Sequence, residues 1–319
     1  MIQKGLFAGS PPFTLLLMLV FTMLTSFLFF MLTGIALAPV IFDIPFYDFY
    51  DQISDTGSAR QLNVMRYLQV VFSISIFIIP AFIAAYLFSG NAIAYLGLRR
   101  SVHSKWFAAT LILVFAAMPF VNLLLAFNEM IVFPESLAGF EQWLINYERS
   151  AHETTNLFLK TETAVGLLFN IFMIALLPAI GEELIFRGLL HKIFAEWTKN
   201  IHVTIIVTGF LFSLMHIQFY GFFPRWALGV MFGYLFVWSG TIWLPIFAHF
   251  VNNAVAVTMF HLINRGAVSE NFENFGSYPT DIPITIATTL VCAIILLVMY
   301  HKRRENLVNK IHSCTCTET

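Results

Sequence analysis

Two adjacent glutamates and an arginine lie in the stretch GEELIFRG, residues 181–188, directly after the uncharged run AVGLLFNIFMIALLPAI. Glu183 and Arg187 are four residues apart, so on a helix they are close enough to form an ion pair. Glu182 then points about 100° away, which leaves its carboxylate free to act as a general base. A structural clamp at a helix end would use the same three residues. Charge at membrane depth costs about 3 kcal/mol and usually marks function.

Two further polar clusters interrupt apolar stretches. In FLFSLMHI, Phe212 and His216 are one helical turn apart, and in IFAHFVNNA, His249 and Asn253 share a face while Asn252 lies on another. A buried histidine bonded to a backbone carbonyl would explain the first cluster, and a hydrogen bond between helices would explain the second. Together with Glu182, however, the clusters have the composition of a hydrolytic site: a glutamate that activates water, a histidine that assists it or binds metal, and donors for an oxyanion.

The composition indicates an integral membrane protein. Of the 319 residues, 59% are hydrophobic and 11% are charged, whereas soluble domains have about 25% charged residues. The net charge of −1 gives no sign of a nucleic-acid partner. Three cysteines, Cys292, Cys314 and Cys316, are too few for a metal cage and predict no disulfide framework.

Eight apolar stretches are candidates for transmembrane helices, which need about 20 residues each. They are Phe13–Ile41, Tyr67–Phe88, Trp106–Phe127, Thr163–Ile180, Val203–Phe219, Trp226–Trp238, Ile242–Phe260 and Ile282–Tyr300. The sixth is short and must borrow flanking residues or be shielded by its neighbours. Nothing from Gly181 to Trp197 demands a stop, so the fourth helix should continue through Glu182 and Arg187. The predicted fold is an all-α, polytopic membrane bundle of about eight helices.

The loops predict the orientation of these helices. With the N-terminus in the cytoplasm, most lysines and arginines fall in cytoplasmic segments, and an even number of spans puts both termini there. At 1.5 Å per residue, His216 would lie about 20 Å, His249 about 12 Å and Glu182 about 13 Å from the cytoplasmic surface. The three side chains could therefore face one cavity in the cytoplasmic half of the membrane.

Two polar outer segments have simpler explanations. In the loop 128–162, one helical face carries Leu137, Phe140, Trp143, Leu144 and Tyr147 with acids opposite, which predicts a helix on the outer membrane surface. Such a helix would anchor the protein, or alternatively gate a substrate. Asp48, Asp51 and Asp55 in FYDFYDQISD are predicted to form the solvated face of a loop.

Three short motifs give the sequence a family resemblance. EELIFR, FSLMH and HFVNN fit the patterns E-E-x-x-x-R, F-x-x-x-H and H-x-x-x-N, in order on successive spans. The chain thereby resembles the CAAX protease and bacteriocin-processing family, also called the abortive-infection family, which includes the type II CAAX prenyl endopeptidases. The resemblance covers roughly Thr163 to Phe260. It implies an intramembrane endopeptidase that cuts a membrane-associated peptide or protein tail.

The resemblance also implies a role for each motif residue. Glu182 would activate water with help from His216, and His249 and Asn253 would stabilise the oxyanion. Glu183 and Arg187 would hold the motif's geometry, with Phe212 in support. Metal dependence is disputed for the family. Glu182, His216 and His249 could satisfy the ligand count of a zinc ion, yet the H-E-x-x-H helix of soluble zinc proteases is absent.

The sequence thus divides into N-terminal helices with the outer amphipathic loop (1–162), a catalytic core (163–260) and a last helix with a cytoplasmic tail (261–319). A bacterial inner-membrane location is favoured. The alternative is a non-catalytic membrane scaffold or immunity factor that keeps the motifs for packing. A transporter is disfavoured because no inverted repeat is visible. The spans also lack a G-x-S-G nucleophile and paired aspartates, which argues against serine and aspartyl intramembrane proteases.

Overall fold

The protein is a bundle of α-helices. The computed structural model describes residues 4–46, 58–269 and 275–315, and these ranges contain helices and turns but no strand. Six helices are long and apolar enough to cross a membrane. The predicted all-α, polytopic membrane fold is therefore confirmed. The acidic residues Asp48, Asp51 and Asp55 and the side chains of Cys314 and Cys316 lie outside what the structure describes.

Each of the eight predicted spans corresponds to one helix. In chain order the helices are α1 Pro12–Ile41, α2 Ala59–Ser89, α3 Ala92–Leu96, α4 Lys105–Glu129, α5 Ala138–Leu159, α6 Ala164–Thr198, α7 Ile201–Leu214, α8 Phe222–Ser239, α9 Trp243–Asn264 and α10 Ile282–Thr315. The short helix α3 and the loop helix α5 are not among these spans. As predicted, α8 borrows residues from both flanks of its short apolar stretch.

Helix α6 carries the E-E-x-x-x-R motif and runs unbroken through it, as the sequence predicted. Its first turn is capped by the Thr163 hydroxyl, which accepts a hydrogen bond from the Gly166 amide. Two stretches are π-helical, Ile171–Leu176 and Leu184–Leu190. Such widened turns are rare and occur often at functional sites, since they shift the face on which later side chains lie. Here they flank the two glutamates.

Helix α7 is shorter than predicted. The sequence placed its end at Phe219 and His216 well inside it, but the helix ends at Leu214. His216 lies in the following turn, where its amide donates to the Ser213 carbonyl, and Ile217 has a left-handed backbone with φ of 54°. A left-handed residue stops a helix. Hydropathy alone did not show this, because the residues after Leu214 are also apolar.

Helices α7 and α8 approach each other closely through glycines. A Cβ atom on Gly229 would lie 3.0 Å from the Gly209 Cα, so small residues allow this contact, as in many membrane helix pairs. The close approach leaves the Gly229 carbonyl near α6, where it accepts a hydrogen bond from Arg187.

Two of the three apolar clusters among the described residues meet at the motif residues. One joins α1, α2, α3 and α6 with parts of α7 and α9, and the other joins α4, α8, α9 and α10. Phe212 belongs to the first and Phe232 to the second, and their rings are 6.4 Å apart. The polar residues of the three motifs lie at this junction, so both clusters fix their positions.

Helix α5 confirms the predicted amphipathic helix. Leu144 is buried against the bundle, while Phe140, Trp143 and Tyr147 are exposed and stack on one another at 5.9 Å spacings. Exposed aromatic side chains of this kind are typical of residues at a membrane interface. The anchoring role of α5 stays a prediction.

The contact of α6 with α2 is testable at Gly181. A Cβ atom there would lie 2.7 Å from the Phe77 Cβ, a clash that no change of rotamer relieves. We expect Gly181→Ala to destabilise the protein by about 1–3 kcal/mol, measured as a lower melting temperature in detergent. Gly139→Ala on α5 is the control, because its Cβ would meet nothing within 4 Å. Equal melting temperatures for the two variants would contradict the packing described.

Candidate active site

The motif residues of α6, α7 and α9 surround one cavity of about 210 Å³. Glu182, His216, His249 and Asn253 all line it, together with Phe212, as the sequence predicted for their positions. A water molecule takes about 30 Å³ in the liquid, so several waters or a short piece of extended peptide would fit. Their catalytic roles are a separate matter and stay predictions.

Glu182 and His216 face each other across the cavity. Glu182 Oε2 and His216 Nε2 are 3.9 Å apart, too far for a direct hydrogen bond and close enough for a water molecule to bridge them. The Oε2 atom is buried and has no hydrogen-bond partner among the described residues. His216 Nδ1 lies 2.9 Å from the Phe212 carbonyl oxygen. Because Nδ1–H donates to that carbonyl, the Nε2 lone pair of the neutral ring faces Glu182.

Glu183 and Arg187 form the predicted ion pair and extend it to two further helices. Arg187 Nη1 donates to Glu183 Oε1 over 2.8 Å, and both side chains are buried. Arg187 Nη2 donates to the Gly229 carbonyl of α8 over 2.6 Å. His249 Nδ1 of α9 donates to the same Glu183 oxygen over 3.1 Å. The sequence did not reveal these last two contacts, which join α6, α8 and α9.

Phe212 is the apolar centre of the site. Its ring centroid lies 5.2 Å from that of His216 and 5.6 Å from that of His249. The Arg187 guanidinium carbon lies 5.2 Å from the same centroid, a cation–π distance. Phe212 therefore packs against both imidazoles and the Arg187 guanidinium, which fits its predicted supporting place.

Two asparagines line the cavity, although the sequence placed Asn252 on a different helical face from Asn253. Asn252 Nδ2 donates to Asn253 Oδ1 over 3.2 Å, and Asn253 Nδ2 donates to the Ile174 carbonyl over 3.4 Å. That carbonyl belongs to a π-helical stretch of α6. Each amide group has two hydrogens, so each keeps one that these contacts do not use.

Arg225 is a lining residue that the sequence reasoning missed. It lies in the first turn of α8, at the end of the sequence FFPR. A charge at the edge of an apolar span is itself a functional signal. The predicted span starts at Trp226, one residue later, so the sequence pattern placed Arg225 outside it.

The cavity lies toward the end of the bundle that α5 covers. The α6 residues that line it besides Glu182 are Ile174 and Pro178, both on the α5 side of Glu182. The Tyr220 amide donates to Glu148 and its hydroxyl donates to Glu141, both on α5. Burial and the Glu141 carboxylate raise the pKa of that hydroxyl. The sequence predicted α5 on the outer surface and the cavity in the cytoplasmic half. The contact of Tyr220 with α5 was not part of that prediction, and the depth of the cavity in the membrane stays a prediction.

The placement of the candidate ligands does not match a metal site. Among the described residues, no group of three or more His, Cys, Asp or Glu side chains is arranged to hold a metal ion. His249 directs Nδ1 at Glu183, and only Glu182 and His216 approach each other. A structural or catalytic zinc ion needs at least three protein ligands, so no chemical step is assigned to a metal below.

Comparison with known proteins gives a family match for the segment that contains these motif residues. Residues 164–255 match the family described as type II CAAX prenyl endopeptidase Rce1-like. Over this segment the chain is similar to the CAAX protease family. The match includes all three motifs and confirms the resemblance seen in the sequence.

Three curated relatives come from Bacillus subtilis strain 168. The sporulation-killing factor biosynthesis protein SkfC is 39% identical over 88 residues, which are 25% of this chain and 17% of SkfC. The protein named "Putative membrane peptidase YdiL" is 27% identical over 128 residues, 40% of this chain and 51% of YdiL. The uncharacterized protein YpbD is 26% identical over 114 residues, 33% of this chain and 54% of YpbD. The chain thus spans about half of YdiL and YpbD and less of SkfC. No solved structure matches it.

The buried ion pair predicts a large cost for Arg187→Met. Removing one partner leaves the Glu183 carboxylate buried without its counter-charge, which costs about 3–5 kcal/mol. The measurement is unfolding of the purified protein in detergent. Lys302→Met is the matched control, because Lys302 pairs with Glu305 on an exposed surface and such pairs contribute about 0–1 kcal/mol. An Arg187→Met variant as stable as this control would refute the account.

The position of the cavity predicts which loops share a side of the membrane. Single cysteines replacing Glu153 of α5 and Gln218 of the α7–α8 loop should react with a membrane-impermeant maleimide from the same side, in a chain whose three native cysteines are serine. A cysteine replacing Lys105 at the start of α4 should react from the other side. Labelling of positions 153 and 218 from opposite sides would contradict the structure.

Proposed function

We propose that this membrane protein is an intramembrane endopeptidase that hydrolyses a peptide bond in a membrane-associated peptide or protein tail. The observation that carries the proposal is the pair Glu182 and His216, 3.9 Å apart in a cavity within a bundle of membrane helices. The similarity of residues 164–255 to the type II CAAX prenyl endopeptidase family supports a protease, and so does the name of the relative YdiL, a putative membrane peptidase.

The proposed reaction uses a water molecule held between Glu182 and His216. Glu182 takes one proton from the water, and the water oxygen forms a bond to the scissile carbonyl carbon. The carbon–nitrogen bond then breaks, and the proton passes from Glu182 to the leaving amine. The neutral His216 accepts a hydrogen bond from the same water at Nε2. Atoms and charges balance without a further reactant.

The negative oxygen that forms during attack needs donors. His249, Asn252 and Asn253 line the same cavity. Each amide keeps a hydrogen that its contacts with the protein do not use, and His249, whose Nδ1–H is given to Glu183, would donate from Nε2 as the imidazolium. Donors fixed before the reaction stabilise such an oxyanion far better than mobile water does. Glu183 supplies the fixation for His249 through the 3.1 Å contact. The sequence assigned this task to His249 and Asn253, and the geometry adds Asn252.

The proposed setting is a bacterial inner membrane with both termini in the cytoplasm. With that orientation α5 and the Tyr220 loop that contacts it lie outside. The substrate would then be a peptide or protein tail that enters between helices from the bilayer.

The proposal predicts that Glu182→Gln abolishes proteolysis and leaves the fold intact. Loss of a general base lowers a rate by about 10²–10⁴-fold. The measurement compares the termini of membrane proteins by mass spectrometry in cells with equal amounts of wild type or Glu182→Gln. Glu196→Gln is the control, since Glu196 is on the same helix but exposed.

Peptide ends that disappear in Glu182→Gln and persist in Glu196→Gln would support proteolysis and name the substrate. Identical ends in all three strains, together with a phenotype that Glu182→Gln rescues, would instead support the non-catalytic scaffold or immunity factor.

A further inference from the structure

Arg225 contributes its guanidinium to the cavity, and no carboxylate of the described residues forms an ion pair with it. We propose that Arg225 binds a carboxylate of the substrate beside the scissile bond, and this inference rests on the proposed function. The guanidinium shares the cavity with Glu182 and His216. A substrate carboxylate at this point would fix which peptide bond reaches the water between those two residues.

The hydrogen bonds of Arg225 leave part of its guanidinium unused. Nη2 donates to the Gln218 carbonyl over 2.6 Å, while Nε is buried and has no partner among the described residues. No described carboxylate lies within the 4.0 Å of an ion pair. Glu148 and Glu182 act on Arg225 only from a distance, and Glu148 already accepts the Tyr220 amide. A buried N–H without an acceptor costs free energy that a ligand can recover.

Arg187 is the contrasting case in the same protein: its Nε also lacks an acceptor among the described residues, but its charge is paired with a carboxylate. It has a carboxylate at 2.8 Å and a carbonyl at 2.6 Å, and it faces the interior. Arg225 has a carbonyl alone and faces the cavity. Arginine's planar fork suits a carboxylate, which can accept two parallel hydrogen bonds from it. The inferred ion-pair partner of Arg225 is therefore a carboxylate of the substrate that binds in the cavity.

Gly221 leaves the space that the Arg225 guanidinium occupies. A Cβ atom on Gly221 would lie 2.6 Å from Arg225 Nη2 and 2.7 Å from Nη1. The backbone of Gly221 has φ of −108°, which an alanine adopts without strain. Glycine is thus required here by the close approach of the arginine and not by the turn. Gly221→Ala displaces the guanidinium while keeping its charge, which makes it a sharp probe.

Two sources supply a carboxylate on a peptide: the chain's C-terminus and an aspartate or glutamate side chain. Three pools of short N-lauroyl peptides separate them. The first pool has a free C-terminal carboxylate and no acidic side chain, the second has a C-terminal carboxamide and no acidic side chain, and the third has the carboxamide with one Asp or Glu.

The experiment measures retention of each pool by the full chain in lipid nanodiscs. Every protein carries Glu182→Gln, so bound peptides are not cut, and bound peptides are counted by mass spectrometry. We expect retention of at least one carboxylate pool to exceed that of the neutral pool by about tenfold or more. Preference for the first pool assigns the site to a chain end, and preference for the third assigns it to a side chain.

The variants test whether Arg225 causes the preference. Arg225→Gln should remove it, Gly221→Ala should weaken it, and Arg225→Lys should keep part of it. Arg265→Gln, at an exposed arginine after α9, should leave it unchanged. Equal retention of all three pools, or a preference that survives Arg225→Gln in a protein of normal melting temperature, would overturn the inference.

The two experiments distinguish a failure of the Arg225 inference from a failure of the proposed proteolysis. Carboxylate-dependent retention without any change of cellular peptide ends would keep the Arg225 site and reject the protease. Loss of peptide ends in Glu182→Gln without carboxylate preference would do the reverse.

Discussion

The buried ion pair between Glu183 and Arg187 is the interaction on which the rest of the site depends. It neutralises two charges inside an apolar bundle, where either alone would be costly. The pair also makes hydrogen bonds to other helices: Arg187 binds the Gly229 carbonyl, and Glu183 orients His249. One i, i+4 contact on α6 thereby fixes the relative positions of α6, α8 and α9.

Because Glu183 forms the ion pair, the carboxylate of the neighbouring Glu182 is not bound to Arg187. It points into the cavity instead of into the ion pair, and its Oε2 atom has no hydrogen-bond partner among the described residues. The early end of α7 brings His216 to it from a turn instead of from a helix face. Phe212 packs against both imidazoles. The structural carboxylate of Glu183 and the proposed reactive carboxylate of Glu182 thus belong to consecutive residues.

Sequence reasoning succeeded where a property is local and periodic. Apolar runs located eight helices, and helical spacing predicted the Glu183–Arg187 pair and the contact of His216 with Phe212. It failed where the outcome depends on how distant segments meet. The loop between α7 and α8 is the main example, because hydrophobic periodicity does not predict its path. This loop contains the left-handed Ile217, brings Gly221 close to Arg225 and places Tyr220 against α5. Asn252 reaches the cavity because a lining residue needs only part of its side chain there.

The central claim is that the Glu182 carboxylate activates water for peptide hydrolysis. The most direct measurement is hydrolysis of the N-lauroyl peptide pools in H₂¹⁸O by purified protein stripped of metal ions. The account predicts one ¹⁸O atom in each new C-terminal carboxylate with wild type and no labelled product with Glu182→Gln. Labelled product from Glu182→Gln would contradict it. So would labelling that vanishes on metal removal and returns with zinc.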